Sequence, residues 1–412
     1  MTERQARDNR GGPGRSLLAA TCCLVLFLYA VYLGALSVLL PFIGASFGLG
    51  SGAEGRLFPA DFIGFVTGVL ACGYLSDRFG RKAVLLLGIG VYAAGLCLFG
   101  AVPAFAAALA ATALVGAGTG AMETVASALA ADLYPERRAF LLNGLQIAFG
   151  AGAALSPAGA HFLLTSGTDW HALYLGLAGA DGVLFLALLL QPVPRVRHAP
   201  EALDMRALRA ILRQPAFLIL CVSQALYVGA EVGFFSWMPT YFQRRLPGGA
   251  AWAGLVVTVF WVAMTCGRVA TGAVVGRVAL LRLILWLAGG GALGSALALL
   301  WTTPATVLCF VTWTGLCFSG IFGLILAEAG ERFPRAAGTV FGGVVAAGGV
   351  GGAVIPWAVG VLADTPVGWR GALAMIPLAA AGVGLLMRRR ELASVPPPAG
   401  QLCEPSEASS PR

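Results

Sequence analysis

A series of long apolar runs, separated by short charged connections, limits what this chain can fold into more than any other feature. A helix of about 20 apolar residues spans the roughly 30 Å of hydrocarbon in a bilayer. Hydrophobic residues make up 58% of the 412 residues and charged residues only 11%, a composition that a soluble surface does not have. The sequence therefore predicts an all-α integral membrane protein with twelve transmembrane helices. The twelve runs lie at approximately residues 17–40, 59–77, 83–102, 104–131, 139–165, 171–191, 215–243, 251–276, 279–301, 304–330, 336–363 and 369–387.

The positions of the basic residues predict how the chain is oriented in the membrane. Of the 27 lysines and arginines, the odd-numbered connections hold only Arg56, Arg244, Arg245 and Arg370, and Arg268 lies inside a predicted helix. Because positive residues accumulate on the cytoplasmic side, we expect a multi-pass protein with both termini in the cytoplasm. This bias also explains the net charge of +8 without a nucleic-acid partner.

The stretch from Gly73 to Lys82, Gly-Tyr-Leu-Ser-Asp-Arg-Phe-Gly-Arg-Lys, joins the second and third runs at a short charged turn. Its spacing, Gly-x-x-x-Asp-Arg-x-Gly-Arg-Lys, resembles the signature loop of the major facilitator superfamily. The resemblance implies a bacterial inner-membrane transporter and a loop that acts as a latch on the outward-facing state. A loop that only sets orientation is the alternative. The residues implied as the latch are Gly73, Asp77, Arg78, Gly80 and Arg81.

The two halves of the chain repeat each other. A shift of 199 residues superimposes Gly73 on Gly272, Pro135 on Pro334 and Pro157 on Pro356, among others. One offset that holds from the second helix to the fifth predicts two six-helix bundles related by a parallel repeat, the major facilitator fold, with a cavity between them. Asp77 falls on Gly276, so the second hinge lacks the acid.

These observations predict five segments. They are a cytoplasmic N-terminal tail at 1–16, an N-terminal bundle at 17–191, a cytoplasmic linker at 192–214, a C-terminal bundle at 215–388 and a disordered cytoplasmic tail at 389–412. The tail is rich in proline and serine, which do not form a packed core.

Among the acids within predicted helices, Glu123 in the fourth and Glu231 in the seventh are the main candidates for a functional role. A charge at the bilayer centre costs about 2.5–3.5 kcal/mol on insertion scales, so both should face a cavity or a partner. A carboxyl group there could exchange protons, as a proton-coupled carrier requires, or tie helices together as a neutral group. Gln224, Tyr227 and Glu231 are three and four residues apart and share one helix face, which predicts a solute contact surface or a packing cluster.

A closer resemblance covers about twenty residues. Met122 to Ser127, Leu142-Asn143 with Gln146, and Tyr227 to Glu231 are similar to segments of the fucose, galactose and glucose symporter branch of the superfamily. The resemblance implies that Glu123 is a proton or substrate site, that Asn143 and Gln146 contact sugar hydroxyl groups, and that Glu231 is a cavity carboxyl. This chain departs from the branch at Ser37, where an acid is expected, and at Ser127, where an asparagine is usual.

Six aromatic residues in or near the runs could stack on a solute ring, but as a group they are expected to be interfacial anchors. They are Tyr29, Tyr32, Trp237, Trp261, Trp313 and Trp357.

The sequence contains no nucleophile elbow, no phosphate-binding loop and no metal-ligand spacing, so an enzyme, a cofactor and a metal are not expected. We expect a monomeric secondary carrier that moves a small polar solute, such as a sugar, by proton-coupled alternating access. A proton-driven exporter of drugs or amphipathic compounds is the alternative, and a sensor that binds a solute without moving it is a minor one. In the preferred mechanism Glu123 and Glu231 titrate while Asn143, Gln146, Gln224 and Tyr227 orient the solute.

Overall fold

The computed structural model describes residues 13–133, 138–192, 213–333 and 337–388. Within these ranges the chain is almost entirely helical, and twelve helices are long and apolar enough to cross a membrane. This confirms the predicted fold class. Residues 13–16, predicted as part of the N-terminal tail, belong to the first helix, because the helix extends beyond the apolar run that crosses the membrane. The rest of that tail, the predicted C-terminal tail and most of the predicted linker lie outside the described residues.

The N-terminal half contains the first six membrane-spanning helices. A short helix, Ser51–Glu54, precedes the second of them. The six are α1 (Pro13–Phe47), α2 (Leu57–Phe79), α3 (Arg81–Phe99), α4 (Phe105–Leu133), α5 (Arg138–Thr165) and α6 (Trp170–Leu190).

The C-terminal half contains the other six, two of which are broken into consecutive segments. They are α7 (Pro215–Arg245), α8 (Ala253–Val274), α9 (Leu280–Leu300), α10a (Pro304–Phe318) with α10b (Ile321–Arg332), α11 (Ala337–Ala363) and α12a (Gly368–Leu373) with α12b (Met375–Met387).

Three helices differ from the predicted spans, and one of them is the twelfth, which was predicted as one run but is divided at Ala374. The first run was predicted to end at about Leu40, before Pro41, but α1 continues through Pro41 to Phe47. A long membrane helix tolerates an internal proline because neighbouring helices and side chains satisfy the backbone groups that it frees. The tenth run was predicted as one helix, but it breaks at Ser319 and Gly320.

The two halves have equivalent arrangements. In the N-terminal half α1 packs along α5 and α2 along α4, and in the C-terminal half α7 packs along α11 and α8 along α10a. Pro157 and Pro356, which the repeat superimposes, both lie inside their helices. The turns that follow α2 and α8 each contain a glycine with φ of 88°, at Gly80 and Gly276, a backbone conformation that favours glycine. The structure thus contains the predicted repeat.

Glycines bring the backbones of α2 and α4 into direct contact. A side chain on Gly116 of α4 would overlap the carbonyl oxygen of Asp61, and one on Gly120 would overlap the carbonyl oxygen of Phe65. In the opposite direction, a side chain on Gly64 of α2 would overlap the carbonyl oxygen of Ala113. Small residues of this kind are what allow membrane helices to approach closely.

Contacts between the two halves lie on the side of the bundle opposite to the chain ends, which we call the distal side. There Phe62 of α2 packs against Gly352 of α11, and His161 of α5 packs against Gly254 of α8. The Thr258 hydroxyl of α8 also donates to the carbonyl oxygen of Ala154 in α5, at 2.7 Å. Towards the chain ends, the positions facing Gly144 and Gly272 are open. The structure is therefore the state that is closed on the distal side.

The packing of α2 on α4 predicts that Gly116→Val destabilises the protein. The added side chain has no space at the Asp61 carbonyl group, and overpacking of this kind costs about 1–3 kcal/mol. Gly179→Val is the matched control, because Gly179 is exposed on α6 and nothing lies near its missing side chain. Thermal unfolding of both purified variants in detergent measures the difference. Equal melting temperatures would contradict the proposed backbone contact.

Candidate functional site

Three charged side chains meet at the boundary between the halves, and we call them the central triad. Glu123 comes from α4, Glu231 from α7 and Arg268 from α8. Arg268 interacts electrostatically with both carboxyl groups. Glu231 is buried, whereas Glu123 and Arg268 are half-buried. Opposite charges offset part of the cost of placing each of them inside a membrane, so the triad couples the two halves electrostatically without a direct ion pair among these residues.

Tyr227 connects the triad to the break in the tenth helix. It lies one turn before Glu231 on α7 and is buried. Its hydroxyl group donates to the carbonyl oxygen of Phe318, the last residue of α10a, at 2.8 Å. A carbonyl group at a helix break needs a donor when no water is near, and Tyr227 supplies it.

A row of aromatic rings lies beside the triad and crosses the boundary between the halves. The ring centroids are 6.5 Å apart for Tyr29 and Phe65, 5.3 Å for Tyr29 and Phe149, 5.7 Å for Phe149 and Trp261, and 5.3 Å for Trp261 and Phe235. These spacings are typical of interacting aromatic pairs. Phe149 and Trp261 belong to opposite halves, so the row bridges them.

Trp261 lies two turns along α8 from Arg268, on the distal side of it. Its side chain is buried, and its Nε1 atom has no hydrogen-bond acceptor among the described residues. The site therefore combines an indole N–H donor, a guanidinium group and two carboxyl groups beside a row of rings. A guanidinium group binds a carboxylate through paired charge-assisted hydrogen bonds, and the rings offer a flat apolar surface.

The distal side is held closed by a second cluster, which we call the distal clasp. Arg244 of α7 donates to the Ser51 hydroxyl group at 2.8 Å and to Glu54 Oε1 at 3.0 Å. Its guanidinium group also lies 5.9 Å from the centroid of the Trp369 ring. Glu54 is fully buried, so this arginine balances a charge that has no access to water.

The distal clasp includes a further contact between the halves. The backbone N–H of Gly52 donates to Asp364 Oδ2 at 2.7 Å. Asp364 follows α11, and Gly52 belongs to the short helix before α2. The clasp thus joins the N-terminal half to two points of the C-terminal half, at Arg244 and Asp364, while Trp369 packs on Arg244 from within the C-terminal half.

The structure brings some of the predicted site residues together. Glu123 and Glu231 both lie within the electrostatic range of Arg268. Gln224 is fully buried against Gly348, with no partner for its amide among the described residues. Gln146 is exposed on the α5 face that carries Gly150 one turn further on. The Asn143 side chain lies outside the described part of the chain. The roles of these residues in binding a solute stay predictions.

The predicted hinge is partly described. Gly80 ends α2 and begins the turn to α3, and the Arg81 Nε atom donates to Asp132 of α4. The Arg78 guanidinium group is exposed and lies 5.6 Å from the Phe79 ring centroid. The surroundings of Gly73 and of the Asp77 side chain lie outside the described residues. The latch therefore stays a prediction.

Sequence reasoning missed three parts of the site. Arg268 was noted only as a residue inside a helix, although a lone arginine in an apolar span is itself a sign of function. Asp61 and Glu54 lie close to the start of the second span, where acids are usually interfacial. The expectation that the aromatic residues are interfacial anchors is wrong for four of them, which are buried: Tyr29, Tyr32, Trp237 and Trp261.

The sequence is similar to a known protein family and to named transporters. Residues 22–356 match the Major Facilitator Superfamily. A probable 4-methylmuconolactone transporter of Cupriavidus pinatubonensis is 28% identical over 320 residues, which cover 72% of each chain. The cis,cis-muconate transport protein of Acinetobacter baylyi is 24% identical over 357 residues, which cover 83% of this chain and 86% of that protein.

The fold is also similar to solved structures. A variant of the E. coli fucose:proton symporter superimposes with a TM-score of 0.64 over 90% of this chain and 97% of its own, at 19% identity. At this identity the likeness concerns the fold.

The distal clasp predicts that Arg244→Ala shifts the protein away from the distally closed state. The variant loses two hydrogen bonds to the N-terminal half, and a hydrogen bond to a charged group contributes about 1.5–3 kcal/mol. Arg245→Ala is the matched control, because Arg245 is exposed and has no contact with the N-terminal half in the described structure. Spin labels at Ser46 and Ala250 on a cysteine-free background report the distance across the distal side. A distance distribution that is the same in both variants would rule out the clasp.

Proposed function

The chain belongs to the Major Facilitator Superfamily, and we propose that this transporter moves small organic anions across the membrane together with protons. The observation that carries this proposal is the central triad beside the aromatic row. Arg268 offers a binding group for a carboxylate, the Trp261 N–H offers a second donor, and the rings offer a surface for a conjugated or aromatic body. Relatives that are named as transporters of muconate and methylmuconolactone support the same class of solute.

The charge of the triad suggests how solute and proton are coupled. With both glutamates ionised, the two acids and one arginine carry a net charge of −1. Each carboxylate group of a bound solute adds one negative charge, which gives −2 for a monoanion and −3 for a dianion such as muconate, and this is costly in a site with little water. Each proton taken up by Glu123 or Glu231 removes one of these added charges, so the anion and protons enter together. The same carboxyl groups compete with the solute for Arg268 when the site is empty.

This proposal differs from the sequence prediction in the solute, which is an organic anion instead of a sugar. It keeps the predicted energy source, a proton gradient. Gln224 is sealed in the packing of α7 against α11, and the Tyr227 hydroxyl group is already used at the break in α10. Two of the groups predicted to bind solute hydroxyl groups are therefore occupied or sealed in this state. Alternating access would proceed by rocking of the two halves, with the distal clasp closing one side.

We further propose that both termini lie in the cytoplasm of a bacterial cell and that the protein works in the inner membrane. The support is the excess of lysine and arginine on the side of the chain ends. In this orientation the structure is the inward-facing state. The Gly73–Lys82 hinge would then close the cytoplasmic side, with Asp77, Arg78 and Arg81 as its latch.

The coupling predicts that purified protein in liposomes accumulates radiolabelled cis,cis-muconate when the outside is acidic. A protonophore should abolish the accumulation, and fucose, as a neutral probe, should not accumulate. Glu123→Gln should lose accumulation but still exchange muconate across the membrane, since the amide mimics the protonated acid. Glu331→Gln, at the exposed end of α10b, is the control. Accumulation of fucose, or of neither probe, would refute the proposed solute class.

The role of Arg268 leads to a separate prediction for binding. Arg268→Gln should weaken muconate binding by at least about tenfold, since a charge-assisted hydrogen bond contributes about 1.5–3 kcal/mol and tenfold is about 1.4 kcal/mol. Arg277→Gln, in the exposed turn between α8 and α9, is the matched control. Isothermal titration calorimetry on the purified variants measures both. Unchanged affinity in Arg268→Gln would show that the anion binds elsewhere.

A further inference from the structure

A second buried acid lies on the distal side of the central triad, within the N-terminal half. Asp61 of α2 is 7% exposed, and its Oδ1 atom accepts a hydrogen bond from the Tyr32 hydroxyl group of α1 at 3.0 Å. Neither residue belongs to the central triad or to the distal clasp. A buried carboxyl group inside a transporter needs a physical reason, because its insertion is costly.

The titratable groups that face Asp61 are all tyrosines. Tyr29 and Tyr32 come from α1, Tyr92 from α3 and Tyr174 from α6. Tyr92 donates to the backbone carbonyl group of Leu28, and the Tyr174 hydroxyl group has no partner among the described residues. No lysine or arginine of the described chain pairs with Asp61. Hydroxyl groups can pass protons to a carboxyl group, whereas a paired arginine would hold it ionised.

Tyr29 connects Asp61 to the central triad. Its hydroxyl group interacts electrostatically with Asp61 and with both Glu123 and Glu231. Tyr29 and Tyr32 are three residues apart on α1 and thus lie on the same face, one turn from each other. Gly116, which touches the Asp61 backbone, precedes Glu123 by seven residues, or about 10 Å along α4. Tyr29 therefore lies between an acid on the distal side and the acids of the triad.

Asp61 also lies at the part of α2 that meets the opposite half. The next residue, Phe62, packs against Gly352 of α11, and Val66 contacts Gly349. Opening of the distal side would separate α2 from α11 at Phe62, the residue next to Asp61. We therefore expect the access of water to this carboxyl group to change during the transport cycle.

We propose that Asp61 is a proton-binding site that loads the central triad from the distal side, with Tyr29 as the relay and Tyr32 as a positioning residue. This inference rests on the proposed proton coupling and adds the route. When the distal side opens, the Asp61 carboxylate takes a proton from water. Tyr29 then gives its hydroxyl proton to the carboxylate of Glu123 or Glu231 and accepts the proton of Asp61, so that its O–H bond re-forms and Asp61 returns to its ionised form.

The test compares Asp61→Asn with Asp181→Asn in liposomes. Asp181 on α6 is the matched control, because it is a fully buried aspartate of the same half with no partner among the described residues and no role in the relay. Asp61→Asn should lose muconate accumulation driven by a pH gradient but keep muconate exchange at zero gradient, as should Tyr29→Phe. Asp181→Asn should keep both. Tyr32→Phe should lower the accumulation rate without abolishing it, since only the hydrogen bond that positions Asp61 is lost.

Accumulation by Asp61→Asn at the unmodified level would overturn the inference, and so would an equal loss in Asp181→Asn. Difference infrared spectroscopy of the purified protein separates this failure from a failure of the proposed function. In the unmodified protein a carboxyl band should titrate with pH, and this component should disappear in Asp61→Asn but remain in Asp181→Asn. If the unmodified protein does not couple muconate to protons, the proposed function fails. If the titrating carboxyl band persists in Asp61→Asn, the proton site at Asp61 is refuted, whatever the outcome for the proposed function.

Discussion

The structure depends on how it compensates charge where no water is present. A membrane interior penalises an isolated ion, so each buried charge must find a partner or a proton. At the centre, Arg268 of one half lies within the electrostatic range of Glu123 of the other, and Glu231 shares the same arginine. At the distal side, buried Glu54 meets Arg244 across the same boundary. Both clusters join the halves, so relative movement of the halves and electrostatic balance cannot be separated in this protein.

The two clusters have different consequences. The distal clasp is fully formed, with hydrogen bonds to Ser51 and Glu54 and a backbone contact between Gly52 and Asp364. The central triad has more carboxylates than cations, and in the proposed mechanism this excess would let it respond to an added anion or proton. A transporter needs one contact that is stable in a single state and another whose charge changes with its load. The aromatic row between Tyr29 and Phe235 separates the central triad from the distal clasp.

Much of the fold could be predicted from the sequence because hydrophobic length and the repeat are properties of the chain alone. Some of the predicted helix boundaries were wrong. The first helix was ended at a proline, Pro41, and the tenth was drawn as one continuous apolar run although it breaks at Ser319–Gly320. Glu123 and Glu231 could be found because acids stand out in apolar helices. The interaction of Glu123 with Arg268 could not, since it joins residues of different halves. Asp61 was missed because the sequence alone does not give the depth of a residue in the membrane. An acid near the end of a span therefore resembles an interfacial acid.

The glycine contacts between α2 and α4 have a mechanical consequence. Two helices whose backbones touch at Gly64, Gly116 and Gly120 cannot slide or rotate against each other without a collision of main-chain atoms. We therefore expect Asp61 and Glu123, which lie on these two helices, to move together as one unit when the halves rock. In the proposed cycle, what changes is which compartment supplies water to Asp61 and which supplies it to Glu123.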